Sequence, residues 1–341
     1  MSLPATMKAL VLRSYETIEN IQSNLHLDVV PVPKPGKGEV LVKMEASPVN
    51  PSDLMFIQGR YAMKWALPTV PGLEGAGTVV AAGKGFLPKM RLGKRVAVLS
   101  NSNGPGLWAE YAVVPAITCF PVPENIPFAQ AASMLVNPLS AYSLYFIARQ
   151  NRAKAVIVNA SGSQLIRKLI QIAGGKKLPL ILIVHKQTLA DEFIQNGHKY
   201  VINTTLDNYQ QLLASYISEL KPTVFFDAVA GASTGDISGL LPENSKIIVY
   251  GALDQMYTSI NPANLIFKNL KVEGFWLATP QKQLSKINLL RLFFKSRKIF
   301  SGTDVVTPQS FTRVSYANAI DAMIQYNNSM SSGKVFLTPD E

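Results

Sequence analysis

The sequence predicts an α/β protein of two domains, and three observations carry that prediction. The chain has 341 residues, where a domain usually takes about 100–200. Residues 7–125 are rich in Val, Pro and Gly and fall into short runs separated by turns, which is strand texture. From 126 to 275, short apolar runs alternate with helical stretches, the pattern of a parallel, doubly wound sheet. Residues 276–341 return to mixed texture and are expected to rejoin the first domain. The expected domains are therefore 1–125 with 276–341, and 126–275. Hydrophobic residues make up 48% and charged residues 16%, a balance that supplies large cores and excludes disorder as a description of the whole.

The elements follow in order. Met1–Thr6 reads as leader residues, and the first strand is expected over Met7–Leu12. Further strands are expected at Glu39–Ala46, Gly75–Ala82, Arg95–Leu99 and Glu110–Val114, in a barrel or distorted sandwich. Pro31-Val32-Pro33-Lys34-Pro35-Gly36 is a turn cluster, and Pro123-Glu124-Asn125 closes this part. Phe128–Gln150 has helical texture. Strands then read at Ala155–Asn159, Ile181–His185, Tyr200–Asn203, Thr223–Val229, Lys246–Tyr250 and Lys271–Phe275. The helices between them read at Gln164–Ala173, Thr188–Asn196, Asp207–Leu220 and Ala232–Leu241, with Gly174-Gly175 as a stop. Right-handed crossovers make this a Rossmann-type sheet with its ligand crevice at the strand C-termini. Lys282–Lys298 reads as an amphipathic helix with a solvated basic face, and Gly333–Leu337 as a last strand.

The net charge of +11 raises the question of nucleic acid. The basic residues are scattered, with no block of five or more, so no nucleic-acid partner is expected. Attraction of a phosphorylated small molecule is the milder reading. The longest apolar runs, Leu178–Val184 and Ile247–Leu253, span about seven residues where a membrane helix needs ~20. A single cysteine, Cys119, cannot form an internal disulfide or a cysteine-based zinc cluster. No charged-then-apolar-then-small segment opens the chain. A reducing, cytoplasmic setting is expected.

The junction that carries chemistry is Val158-Asn159-Ala160-Ser161-Gly162-Ser163-Gln164-Leu165-Ile166. Small residues leave the turn open for a phosphate, and the helix N-terminus adds about half a positive charge. Ser161, Gly162, Ser163 and Gln164 are the candidate phosphate contacts. As a G-x-G-x-x-G motif the turn keeps only Gly162, and Ile166 stands at the last glycine position. An ordinary βα turn is the competing reading. At the end of the second strand, His185-Lys186-Gln187 replaces the acidic residue that would bind a ribose 2′-hydroxyl. His185 and Lys186 therefore point to NADPH over NADH, against the reading of a solvated loop lysine.

Several segments together resemble the medium-chain dehydrogenase/reductase superfamily, in its zinc-free NADPH:quinone reductase and 2-enoyl thioester reductase branch. They are Val49-Asn50-Pro51-Ser52-Asp53, Gly59-Arg60-Tyr61, Val70–Gly77, Val136–Tyr142, Phe226–Val229, Val249–Leu253, Gly274–Leu277 and Gly333-Lys334-Val335. The resemblance implies a GroES-like catalytic domain, an inserted Rossmann domain, an active site in the cleft between them and a homodimer. It aligns Asn50 and Leu73 with zinc-ligand positions of the alcohol dehydrogenases. Neither an amide nor an alkyl group is a zinc ligand, so no metal is expected.

Without a metal, hydride must go to an acceptor that needs little polarisation: a quinone or a conjugated enone. Donors at the developing oxyanion stabilise it. Tyr61, with a hydroxyl pKa of ~10, is protonated at neutral pH. Tyr61 and Asn50 are the candidate catalytic donors; a packed loop aromatic and a turn residue before Pro51 are the plainer alternatives. Asn137, Ser140, Tyr250, Gly251, Phe275 and Lys334 are further cofactor candidates by resemblance, with structural roles as alternatives. Met55, Phe56, Met63, Trp65, Trp108, Trp276 and 289–294 are candidate pocket walls or simply core. The leading expectation is an NADPH-dependent quinone or enone reductase. A trans-2-enoyl-thioester reductase is the alternative, and a non-catalytic nucleotide- or partner-binding protein is the alternative of another class.

Overall fold

The computed structural model describes residues 3–277, 311–330 and 333–339. The chain divides into two compact units, one running through Val136 and including the carboxyl-terminal residues, the other beginning at Asn137. The expected basic helix at 282–298 and the candidate wall at 289–294 lie outside the described residues.

In the first unit, Thr6–Leu12 pairs antiparallel with Leu25–Pro31. A larger sheet runs in the order Phe311–Ser315, Lys334–Thr338, Glu39–Pro48, Glu74–Ala82, Arg95–Leu99, Cys119–Pro121, and Tyr111–Pro115 also pairs with Glu39–Pro48. Valines dominate its interior: Val40, Val42, Val79, Val96, Val98 and Val114 are all buried. β-Branched side chains are stiff and pack well on a pleated surface. Gly77 is required by close approach, since a Cβ there would meet the Lys43 carbonyl at 2.0 Å. The last strand joins this sheet, with Phe336 opposite Pro48 and Leu337 opposite Ser47. That pairing carries Lys334 to the neighbourhood of Asn50.

Residues Pro51–Ile57 form a short helix that sequence texture did not indicate. Asn50 is its N-cap residue, and Pro51 occupies the first turn, where its missing N–H costs nothing. Gly59, at φ 68°, turns the chain out of the helix and leads to Tyr61.

The second unit holds six parallel strands: Val156–Val158, Leu180–Val184, Val201–Asn203, Val224–Asp227, Lys246–Val249 and Lys271–Gly274. Their spatial order is third, second, first, fourth, fifth, sixth, the Rossmann order. Val156, Ile157 and Val158 are fully buried because the sheet is covered on both faces. The helix Gln164–Gly174 buries Ile166, Leu169 and Ala173 against this sheet and stops at the predicted glycines. The expected helix over Phe128–Gln150 is two helices, Phe128–Ala132 and Val136–Gln150. Pro138 sits in the first turn of the second, where a proline is tolerated. Among the described residues, no helix is long and apolar enough to cross a membrane.

Candidate active site and cofactor crevice

In the first unit, four polar side chains meet in the interior. Asn50 is 3% exposed, Lys334 5%, and Asp53 and Glu74 0%. The Asn50 backbone N–H donates to Asp53 Oδ2 at 2.8 Å, completing the helix cap. Its side-chain Nδ2 donates to Glu74 Oε1 at 3.0 Å, and its Oδ1 accepts from Lys334 Nζ. Asp53 Oδ1 accepts the Leu73 N–H at 3.0 Å, so Leu73 contributes only backbone here. Glu74 Oε2 accepts the Val136 N–H at 2.9 Å, at the first residue of the helix that carries Asn137 and Ser140.

Burial shifts the three titratable members of this quartet. Desolvation raises the Asp53 pKa to about 7, with the Glu74 charge adding to it, against the pull of the Asn50 and Leu73 amides and of Lys334. Desolvation likewise raises Glu74, opposed chiefly by the Lys334 ammonium. Lys334 is lowered by desolvation, with Glu74 and Asp53 opposing.

Tyr61 is half-buried against the cluster that includes Leu54, Phe56 and Trp65, and its backbone N–H donates to the Met55 carbonyl at 3.1 Å. Three of the residues read as pocket wall or core are core. Phe56, Trp65 and Trp108 are at most 5% exposed, and the Phe56 and Trp65 rings pack tilted at 55°, 4.5 Å between centroids. Met55 and Met63 are half-buried.

In the second unit, the turn after the first strand is held from several sides. Ser161 is buried; its hydroxyl donates to the Val158 carbonyl at 3.1 Å and its N–H to the Ile183 carbonyl at 3.2 Å. Ser163 caps the helix, its Oγ accepting the Ile166 N–H at 3.3 Å. Gly162 and Gln164 are half-buried beside it. Arg167 donates from Nε to the Gly162 carbonyl at 3.3 Å and pairs bidentately with Glu192 at 2.6 and 2.9 Å. Sequence reasoning missed this brace, because its partner lies on the following helix. Ile166 is fully buried in the sheet-facing core, so the departure from glycine is a packing residue.

At the end of the second strand, His185 and Lys186 are exposed, and His185 Nδ1 lies 2.9 Å from Thr204 Oγ1. Lys186 is the N-cap residue of the helix Gln187–Gln195. At the fourth strand, Asp227 is fully buried and accepts from Asn159 Nδ2 at 2.6 Å, the Val229 and Ala230 amides at 3.0 Å each, and Thr234 Oγ1 at 2.5 Å. This network fixes the two central strand ends. Tyr250 follows the fifth strand; its hydroxyl is buried without a hydrogen-bond partner among the described residues, and burial, with the Asp227 charge, raises its pKa. At Gly251 a Cβ would meet the Ala228 carbonyl at 2.9 Å. Phe275 packs partly against the same core as Tyr250, and Ser140 is buried in its helix.

Comparison with known proteins gives the same architecture. Residues 36–124 match the alcohol dehydrogenase GroES-like domain. The mitochondrial enoyl-[acyl-carrier-protein] reductase of Xenopus tropicalis is 33% identical over 264 residues, 76% of this chain and 75% of that protein. The human enzyme of that name is 31% identical, over 83% of this chain and 75% of its own. A crystal structure of a protein assigned as an NADPH:quinone reductase from Mesorhizobium loti superposes with a TM-score of 0.90 at 32% identity, covering 99% of this chain and 100% of that one. On the fold, the motif residues and these relatives, the chain belongs to the medium-chain dehydrogenase/reductase superfamily, in the branch of the quinone and enoyl-thioester reductases.

Proposed function

We propose that the protein is an NADPH-dependent oxidoreductase that reduces a quinone or a conjugated enone without zinc. The observation that carries this reading is the ligand edge of the Rossmann sheet. An open turn there leads into an 11-residue helix, and an exposed His185-Lys186 pair stands at the second strand with no carboxylate. The donor set fits a 2′-phosphorylated dinucleotide. The turn Ser161–Gln164, with the N-terminus of the helix Gln164–Gly174 behind it, is read as the diphosphate site, and Gly162 adds no side chain of its own there. Lys186 supplies charge for the 2′-phosphate and His185 stands beside it. Tyr250, Gly251, Phe275, Asn137 and Ser140 are the further cofactor contacts, and the Tyr250 hydroxyl, unpartnered among the described residues, is a donor awaiting an acceptor.

Bound NADPH supplies a hydride. The protein's own part is to donate to the acceptor oxygen as negative charge develops on it. Tyr61 does this through a neutral hydroxyl, and Asn50 through its amide N–H. Lys334 serves through Asn50. The names of the relatives support a reductase of conjugated carbonyls, and those of the enoyl-[acyl-carrier-protein] reductases, at 31–33% identity, favour an enoyl thioester as the second reading of the substrate. NADPH consumption against a benzoquinone, a naphthoquinone, a short enone, crotonyl-CoA and a long enoyl-CoA separates these. Turnover of thioesters alone selects the second reading, and no turnover with any acceptor rejects both.

A homodimer belongs to the same reading. Among the described residues Lys271–Gly274 is an edge strand, exposed at all four residues, and Ile266 and Phe267 are 70% and 79% exposed. An open strand edge invites a further strand. Antiparallel pairing of two copies about Val272 sets Lys271 across from Glu273. Sedimentation of the purified protein tests it: a monomer at micromolar concentration rejects it. Neither nucleic acid nor membrane is part of this reading. The compartment is proposed as cytoplasmic, because the chain's single cysteine, Cys119, is buried and can form no internal disulfide. The relatives named mitochondrial set the alternative that cell fractionation decides.

A further inference from the structure

We propose that Lys334 and Glu74 are positioning residues that clamp and polarise the Asn50 amide, fixing its direction as a hydrogen-bond donor to the reacting oxygen. The inference rests on the reading of Asn50 as a donor to the acceptor.

A primary amide carries one acceptor oxygen and two N–H donors. At Asn50 the oxygen accepts from the Lys334 ammonium, and one N–H donates to the Glu74 carboxylate at 3.0 Å. A cation at the oxygen and an anion at the nitrogen polarise the amide in the same sense, so the two contacts reinforce each other. All three side chains are at most 5% exposed, where such effects are least screened. Rotation by half a turn would set the NH2 group against the ammonium and the oxygen against the carboxylate. One orientation is therefore strongly selected, and with it the direction of the second N–H.

The backbone is held as tightly. The Asn50 N–H is taken by Asp53, and its carbonyl accepts the Asp53 and Leu54 amides at 2.9 and 3.2 Å. Glu74 spends its other oxygen on the Val136 amide. Apolar side chains of the same volume would join these strands with less desolvation. The charges flank an amide whose direction matters to the reaction, and the clamp gives them a use.

The test is the double variant Lys334→Met/Glu74→Gln. It removes both charges together and leaves no unpaired lysine or glutamate in the interior. Nuclear magnetic resonance of the cofactor-free protein reads hydrogen exchange of the Asn50 side-chain amide. Fluorescence reads NADPH affinity, and steady-state kinetics read kcat and KM for one enone. Loosening the clamp should speed the exchange about tenfold or more and lower kcat about tenfold or more, with NADPH affinity within about threefold of wild type. Unchanged exchange overturns the clamp. Faster exchange with wild-type kcat overturns the positioning role. Asn50→Ala is measured alongside: wild-type kcat in that variant rejects the donor reading of Asn50, and the positioning role falls with it. A loss in Asn50→Ala with none in the double variant rejects this inference alone. Should the wild type turn over no acceptor, the functional reading fails, and the exchange measurement still judges the clamp.

Discussion

Replacing Ile166 tests whether the departure from the glycine pattern is structural. Its side chain is fully buried in the cluster that holds Val156, Val158, Leu169, Leu182 and Val184. Trimming a buried isoleucine to alanine costs about 2–5 kcal/mol in transfer and cavity terms. Restoring the family's glycine adds about 1 kcal/mol for backbone freedom in a helix. Ile166→Gly should therefore lose about 3–6 kcal/mol, a large share of the ~5–15 kcal/mol of a typical domain. Ile166→Val should lose about 1 kcal/mol and serve as the calibrating step. Urea unfolding followed by circular dichroism gives the free energies, and a fluorescence titration of the Ile166→Val protein gives NADPH affinity. We expect the order Val, Ala, Gly in increasing loss, with NADPH affinity unchanged in the valine variant. A loss below about 1 kcal/mol in Ile166→Gly would refute the packing role.

Three further outcomes follow from the same geometry. Lys186→Ala should weaken NADPH about tenfold or more, the value of a charge-assisted contact of roughly 1.5–3 kcal/mol, and leave NADH unchanged in a binding titration; equal loss of both rejects its reading of the 2′-phosphate. Tyr61→Phe should lower kcat on an enone by ~10²-fold, and less on a quinone, whose two oxygens share the charge, with NADPH affinity unmoved. Asp53 holds its proton more tightly folded, at about 7 where an exposed aspartate titrates at about 3.9, so stability from this group is present below pH 4 and lost as pH rises to 7. That loss is on the order of 4 kcal/mol at most, and Asp53→Asn should flatten the slope of unfolding free energy against pH over that window, provided the urea titrations start from folded protein at each pH.

Most strands were legible as short apolar runs between turn residues, whereas Leu25–Pro31, Cys119–Pro121 and Phe311–Ser315, which are short or mixed in polarity, were not. Arg95–Leu99 falls where its short apolar run placed it. The helix Pro51–Ile57 was not legible: seven residues are too few to show a period, and Asn50-Pro51 reads equally as a turn. The phosphate turn was visible as small residues between a strand and an amphipathic helix, but its brace from Arg167 to Glu192 was not. The quartet was least visible of all. Asn50 and Lys334 were singled out separately, by resemblance, and lie 284 positions apart. Asp53 and Glu74 stood in the quoted segments as ordinary acidic residues. Only the antiparallel pairing of the last strand with Glu39–Pro48 brings the lysine to the amide, and only burial turns the carboxylates into a coupled set.

The most direct test of the central claim follows the hydride itself. The protein, stripped of metal with a chelator, is given NADPH carrying deuterium at the transferable position and a short enone. The account predicts consumption of NADPH and one deuterium at the β-carbon of the saturated product, with the rate unchanged by the chelator. Absence of deuterium from that carbon while the enone is reduced, or activity that returns only when zinc is added, would contradict it.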